Sequence, residues 1–272
     1  MGKALPFLTL CCAVLTASTT HAQLAPGAKY TAMGSSFAAG NGVPEQLGTC
    51  NRSNHNYSHI VASTLGLDLT DVSCSGATKD HIINTSQNDA PLQIEGVSAD
   101  TALVTMTIGG NDINFTSSTF ACARKPASDH CTANLDRTMI RDLVMQLPGK
   151  LDATIDAIRA KAPQAMIVVV TYPRVFPVDA VSCSELMLSP EDTEYLAGLG
   201  ETLEQAFVDV ARRKNTLIAD AYVLADGHGP CDAVPQRWIN GQNVAETGIR
   251  FHPTAQAHEA MARLVLEALG RN

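Results

Sequence analysis

Tyr30-Thr31-Ala32-Met33-Gly34-Ser35-Ser36-Phe37-Ala38-Ala39-Gly40 is the stretch that decides how this chain is read. Lys29 to Met33 has the pattern of a short strand. It stops at Gly34, hands over to two serines, and continues in small residues to Gly40. A strand that ends in glycine and serine displays a hydroxyl at the C-terminal edge of a sheet, where open α/β sheets place their sites. The same residues also describe an ordinary Gly/Ser turn, so partners elsewhere in the chain must decide.

Outward from this stretch, strand-like and helix-like segments alternate. Asn54 to Leu65 carries Ile60, Val61 and Leu65 on a helix face, and Leu67 to Ser73 reads as a second strand. Ala102 to Ile108 is rich in β-formers and ends at Gly109-Gly110. In Thr138 to Ala162, apolar residues recur at three- and four-residue steps, with Pro148 expected to kink or split the helix. Met166 to Thr171 is a continuous apolar run of the kind a buried parallel strand needs. Pro190 to Arg213 is a further helix, with Ser189 as N-cap and Pro190 at its first position. Thr216 to Ala219 makes a short strand, and Pro253 to Leu269 a closing helix. Thr116–Asp136 and Asp220–Arg250 read as irregular loops over the sheet edge. This alternation predicts an α/β chain, a single three-layer α/β/α domain with a central, mostly parallel sheet.

The chain has 272 residues, 45% hydrophobic and 17% charged, which suits one large globular domain. The net charge is −8 and there is no basic run, which argues against nucleic acid and anionic membranes as partners. Lys3, the apolar segment Ala4 to Ala17 and the Thr20-His21-Ala22 sequence read as a secretory signal over residues 1–22, leaving a domain over 23–272. The apolar segment is too short for a confident membrane span, and the expected destination is extracellular or periplasmic. Cleavage removes Cys11 and Cys12 and leaves Cys50, Cys74, Cys122, Cys131, Cys183 and Cys231. An even set in an exported protein reads as disulfides. Pairing sequence neighbours is the simplest arrangement, although the count alone does not fix connectivity. A metal site is disfavoured, since no cysteine or histidine cluster has ligand spacing. No cofactor is expected.

Four short pieces lie at or near expected strand ends: Gly34-Ser35-Ser36, Ser75-Gly76, Gly109-Gly110-Asn111-Asp112 and His252-Pro253-Thr254. Their residue types match the needs of acyl transfer, which are a hydroxyl nucleophile, a base to take its proton, and donors for the developing oxyanion. The set resembles the SGNH hydrolase superfamily of GDSL-type lipases and esterases, whose four blocks are named for Ser, Gly, Asn and His. The resemblance implies a flavodoxin-like fold, Ser36 as nucleophile, His252 as general base, and Ser36, Gly76 and Asn111 as the oxyanion hole. The six cysteines and the tracts Tyr172-Pro173-Arg174 and Gly227-His228 look most like secreted actinobacterial-type members. That likeness implies the pairs Cys50–Cys74, Cys122–Cys131 and Cys183–Cys231.

The chain departs from the family pattern twice. Ser35 stands where the family has aspartate, which leaves the attacking group intact. More consequential is Ile249, which occupies the position where an aspartate often holds the histidine. The expected substitute is a backbone carbonyl, that of Ile249 or else Arg250, giving a dyad, with Asp220 and Asp226 as rival distant carboxylates. Asp112 is expected to brace its loop, and His258 to be structural. The α/β-hydrolase elbow Gly-x-Ser-x-Gly is not met, because Ala38 replaces the final glycine. These features predict a monomeric, metal-independent serine esterase or lipase acting on small-molecule or lipid esters. The alternatives are an O-acetylesterase for acylated polysaccharide and an inactive secreted binding protein.

Overall fold

The computed structural model describes residues 24–271 except 126, 178, 180, 245 and 246, so the expected signal segment lies outside the described residues. Among these, the strands Lys29–Gly34, Asp68–Asp71, Thr101–Thr107, Met166–Val170 and Leu217–Ala219 form one parallel sheet. They lie in the order second, first, third, fourth, fifth. A separate two-stranded antiparallel piece pairs Gln46–Leu47 with Arg52–Ser53.

Successive strand residues point to opposite faces, so each apolar strand feeds two cores. Tyr30, Ala32, Leu103, Val168 and Val170 pack on Val61, Met261 and Val265 of the helices Tyr57–Leu65 and Ala255–Ala268. Met33, Val104, Met106, Ile167 and Val169 share the other core with Leu147, Leu151, Leu203 and Phe207 of the helices Arg137–Lys161 and Pro190–Lys214. The expected three-layer α/β/α architecture results. Ser189 caps its helix by accepting from the Asp192 N–H. No helix among the described residues is long and apolar enough to cross a membrane.

Two expectations hold only in part. Pro148 neither ends nor splits its helix, which runs unbroken from Arg137 to Lys161. The buried stripe Ile140, Leu147, Leu151, Ile155 and Ile158 spans the proline, and its packing offsets the missing backbone bond. Part of Thr116–Asp136 is ordered as the helix Phe115–Ala123. Its sequence is rich in Ser and Thr and lacks a clean apolar stripe. It is held instead by buried Phe115 and by the Cys122–Cys131 disulfide near its end.

All three disulfides pair sequence neighbours, Cys50–Cys74, Cys122–Cys131 and Cys183–Cys231. The strand order places a topological switch point between Lys29–Gly34 and Thr101–Thr107, where the chain moves from one side of the first strand to the other. Ligands of open α/β sheets sit outside such a point, at the carboxyl ends of the strands. Gly34 occupies this position because nothing larger fits. Its φ is 141°, and a Cβ there would overlap the Thr107 carbonyl oxygen.

Candidate active site

Ser36 opens the short helix Ser36–Ala39, immediately after the first strand. The approach to it is fixed from two sides. The Gln93 side-chain amide accepts from Gly34 N at 2.7 Å and donates to Gly34 O at 3.0 Å. Ser35 N donates to Thr107 O at 2.9 Å, which ties the turn to the neighbouring strand.

His252 reaches this turn from just before the last helix, with Nε2 2.8 Å from Ser36 Oγ. Its other nitrogen, Nδ1, lies 2.9 Å from Arg250 O. A carbonyl oxygen only accepts, so Nδ1 carries the ring proton and Nε2 is the acceptor facing the serine hydroxyl. The pair is therefore set for proton transfer from Ser36 to His252. The ring packs on two aromatic side chains, with centroids 4.8 Å from Phe37 and 5.7 Å from Phe120. Ser36 is 5% and His252 3% exposed, so the reacting atoms are largely withdrawn from water. Burial pushes the His252 pKa down to about 4, and the bond to Arg250 O offsets only part of that shift.

The carbonyl that holds the imidazole is that of Arg250, which corrects the expectation of Ile249. Ile249 O is already occupied, accepting from His252 N at 3.2 Å and from the Asn240 side-chain amide at 3.3 Å. Ile249 to His252 thus forms a turn whose third residue, Phe251, has φ 56°. A positive φ at that position is the mark of a type II turn. In this turn the Arg250 carbonyl is the one that meets the ring.

The other two blocks are tied to the serine turn by hydrogen bonds. Cys74 N donates to Gly34 O, and Ser75 N donates to Cys50 O across the disulfide, both at 3.0 Å. Gly76 follows with φ 84°, a backbone state that favours glycine. Asn111 Nδ2 donates to Ala77 O at 2.9 Å, joining the Asn block to the Gly block. Asp112 accepts from Lys79 N at 3.0 Å and has the Lys150 ammonium at 3.4 Å. It braces the two loops against each other, as expected, while burial raises its pKa.

Asp220 and Asp226 are employed elsewhere. Asp220 caps the short helix Ala221–Leu224, accepting from Tyr222 N and Val223 N, and also accepts from Thr171 Oγ1. Asp226 is solvent-exposed beside Arg174. With both ring nitrogens of His252 engaged by Ser36 and Arg250, neither carboxylate is needed to orient it. Asp220→Asn and Asp226→Asn are accordingly expected to keep most of any ester hydrolysis once loss of folded protein is corrected for. A roughly thousandfold fall in kcat for either variant would instead indicate a triad.

His258 is buried and structural, its Nδ1 accepting from Tyr57 N at 3.2 Å. His228 stacks on Trp238 with centroids 4.3 Å apart. Sequence reading missed Phe120, because its helix was not expected, and gave Tyr172 no individual role. A cavity of about 650 Å³ opens on the same edge of the sheet, between the segments that follow the fourth and fifth strands. Arg174, Phe176 and Asp226 contribute to its walls, and neither Ser36 nor His252 lines it. The hydrogen-bond geometry, rather than the cavity, locates the chemistry.

Comparison with known proteins shows the family and the fold. The profile of the GDSL-like Lipase/Acylhydrolase family matches residues 32–260. A Streptomyces coelicolor protein named Lipase 2 is 31% identical, over 94% of this chain and 92% of its own length. The crystal structure of an extracellular lipase from Streptomyces rimosus superposes with a TM-score of 0.76 at 27% identity, covering 89% of this chain and all of that one. A phospholipase A1 from Streptomyces albidoflavus shares the fold with a TM-score of 0.75 at 24% identity, covering 89% of this chain and 99% of that one. With its profile spanning most of the domain and a relative aligned nearly end to end, the chain belongs to the GDSL-like lipase/acylhydrolase family and is a carboxylic ester hydrolase.

Proposed function

We propose that the protein is a secreted serine esterase or lipase that works through a Ser36–His252 dyad and an acyl-enzyme. The observation that carries this reading is the 2.8 Å approach of Ser36 Oγ to His252 Nε2, with Nδ1 held by a carbonyl and no carboxylate. Ser36 Oγ attacks the ester carbonyl while Nε2 takes its proton. The oxyanion is met by the N–H groups of Ser36 and Gly76 and by the Asn111 amide. One Asn111 N–H already bonds Ala77 O, which fixes the amide so that its second N–H is available to the oxyanion. His252 then protonates the leaving alcohol. It next takes a proton from the water that attacks the acyl-enzyme, and returns that proton to Ser36 Oγ as the acyl–oxygen bond breaks, which releases the acid and regenerates the Ser36 hydroxyl and neutral His252.

Export as a monomer after removal of residues 1–22 is part of the same proposal. It is supported by three disulfides, which persist in oxidising compartments. Phe120, partly exposed beside the histidine, favours substrates with an apolar acyl or alcohol part over acetylated glycans.

The direct test uses a fluorophosphonate probe on the oxidised, full domain. Stoichiometric labelling, located at Ser36 by peptide mass analysis, is the expected result. Absence of labelling in folded protein, or labelling at another serine, would remove the assignment. A chain-length series of p-nitrophenyl esters run beside acetylated xylan separates the substrate classes. Faster turnover of the glycan would turn the reading toward an O-acetylesterase.

A further inference from the structure

We infer that Tyr172 is a positioning residue of the reaction, its hydroxyl fastening the serine turn to the loop that presents Asn111. The inference rests on the roles proposed above for Ser36 and Asn111. Tyr172 lies just beyond the strand Met166–Val170, at the same edge of the sheet as both loops. Its hydroxyl is 2.9 Å from Ser35 Oγ, next to the nucleophile. The same oxygen accepts from Gly110 N at 3.2 Å, next to Asn111. One phenol thus touches the residue before the attacking group and the residue before the oxyanion amide.

The phenolic oxygen accepts the Gly110 N–H and shares a hydrogen bond with the Ser35 hydroxyl, a pair in which either oxygen can donate. Tyr172 is 4% and Ser35 1% exposed, so little water competes for these bonds. Burial pushes the phenol pKa up to about 12, which keeps it neutral and protonated at working pH.

The seat is shaped for the ring. Gly110 lies against it so closely that a Cβ there would come within 3.0 Å of the ring carbons. The ring also meets Phe37, centroids 4.4 Å apart, and Phe37 in turn packs on His252 at 4.8 Å. Tyr172 therefore supports the oxyanion loop through its hydroxyl and the histidine clamp through its ring. Donors aimed at an oxyanion are useful to the extent that they are held in place before charge develops. Tyr172 supplies that hold without touching substrate.

Tyr172→Phe keeps the ring and removes the bridge. Steady-state kinetics on a p-nitrophenyl ester should show kcat lowered about tenfold with KM changed by less than about twofold, the size of loss expected from one or two neutral hydrogen bonds. The inhibition constant of an alkyl trifluoromethyl ketone, which forms an oxyanion on the nucleophile, should rise by the same factor as kcat/KM falls. Because Tyr172 acts through the Asn111 loop, adding Tyr172→Phe to Asn111→Ala should cost less than about twofold more. Ser35→Ala should reproduce the kcat effect in milder form. Measurements are made below each variant's melting transition, with folded fraction determined by circular dichroism.

Wild-type kcat in Tyr172→Phe would overturn the inference. So would an equal loss in the presence and absence of Asn111, or a loss that tracks folded fraction and leaves ketone inhibition unchanged. If Ser36→Ala itself stays active, the proposed mechanism fails. If Ser36→Ala is dead and Tyr172→Phe is fully active, the mechanism stands and only the role of Tyr172 fails.

Discussion

Ser36→Ala is expected to lose ester hydrolysis by a factor of about 10⁴ or more while folding normally. Removal of the nucleophile in a serine hydrolase leaves only the catalysis that binding and oxyanion donors supply. The adjacent hydroxyl cannot take over, because Ser35 is 1% exposed and its Oγ is bonded to Tyr172 rather than to His252. Alanine suits the first position of the Ser36–Ala39 helix, and the substitution breaks the hydrogen bond to Nε2 without disturbing the surrounding packing. Thermal melting should therefore stay close to wild type while p-nitrophenyl ester turnover disappears. Residual activity above about 1% of wild type, far more than such knock-outs retain, would show that another group attacks. Ser35→Ala is the matched control, and its much smaller loss would separate the two neighbouring serines.

The fold was legible in the sequence because its signals are periodic and repeated. Met166 to Val170 is a continuous apolar run of the kind a buried parallel strand needs, and it forms the fourth strand, buried from Ile167 to Val170. The Ser36–His252 pair was legible through four blocks in order, although no single block would have sufficed. What stayed hidden depends on short-range backbone geometry or on contacts distant in sequence. Ile249 and Arg250 are adjacent, and the choice between their carbonyls follows from φ 56° at Phe251, a state that phenylalanine rarely adopts and sequence does not announce. Phe120 faces the histidine from a helix whose Ser- and Thr-rich sequence gives no amphipathic signal, so its order comes from tertiary packing and a disulfide. Tyr172 bridges Ser35 and Gly110 across sequence separations of 137 and 62 residues, and nothing local marks it.

The pH dependence is where the absence of a carboxylate should be most visible. An aspartate on Nδ1 would stabilise imidazolium and raise the histidine pKa. Here a neutral carbonyl takes that place and burial dominates, bringing His252 to about 4. The base works only when neutral, so kcat/KM should hold as pH falls through about 6.5, the usual histidine value, and drop with a midpoint near 4. A midpoint at the usual histidine value would mean that the buried, carbonyl-held imidazole described here is not the working base.

The same shift lowers stability in acid. A histidine whose folded pKa is depressed binds protons more readily in the unfolded chain. Its contribution is complete above about pH 6.5 and is lost as pH falls from there toward about 4 for His252 and toward about 3 for His258. For His252 this amounts to on the order of 3 kcal/mol, with a similar or larger amount for His258. Such a loss is a large part of the roughly 5–15 kcal/mol that holds a domain together. Unfolding and the kinetic limb should therefore converge near pH 4. Brief exposure to acid, followed by assay at neutral pH, separates unfolded enzyme from protonated base. The melting temperature should fall steadily between about pH 6.5 and 4 in wild type and less steeply in His252→Gln, since the variant lacks one of the two buried imidazoles. An equal slope in both would show that His252 is not buried as a neutral ring.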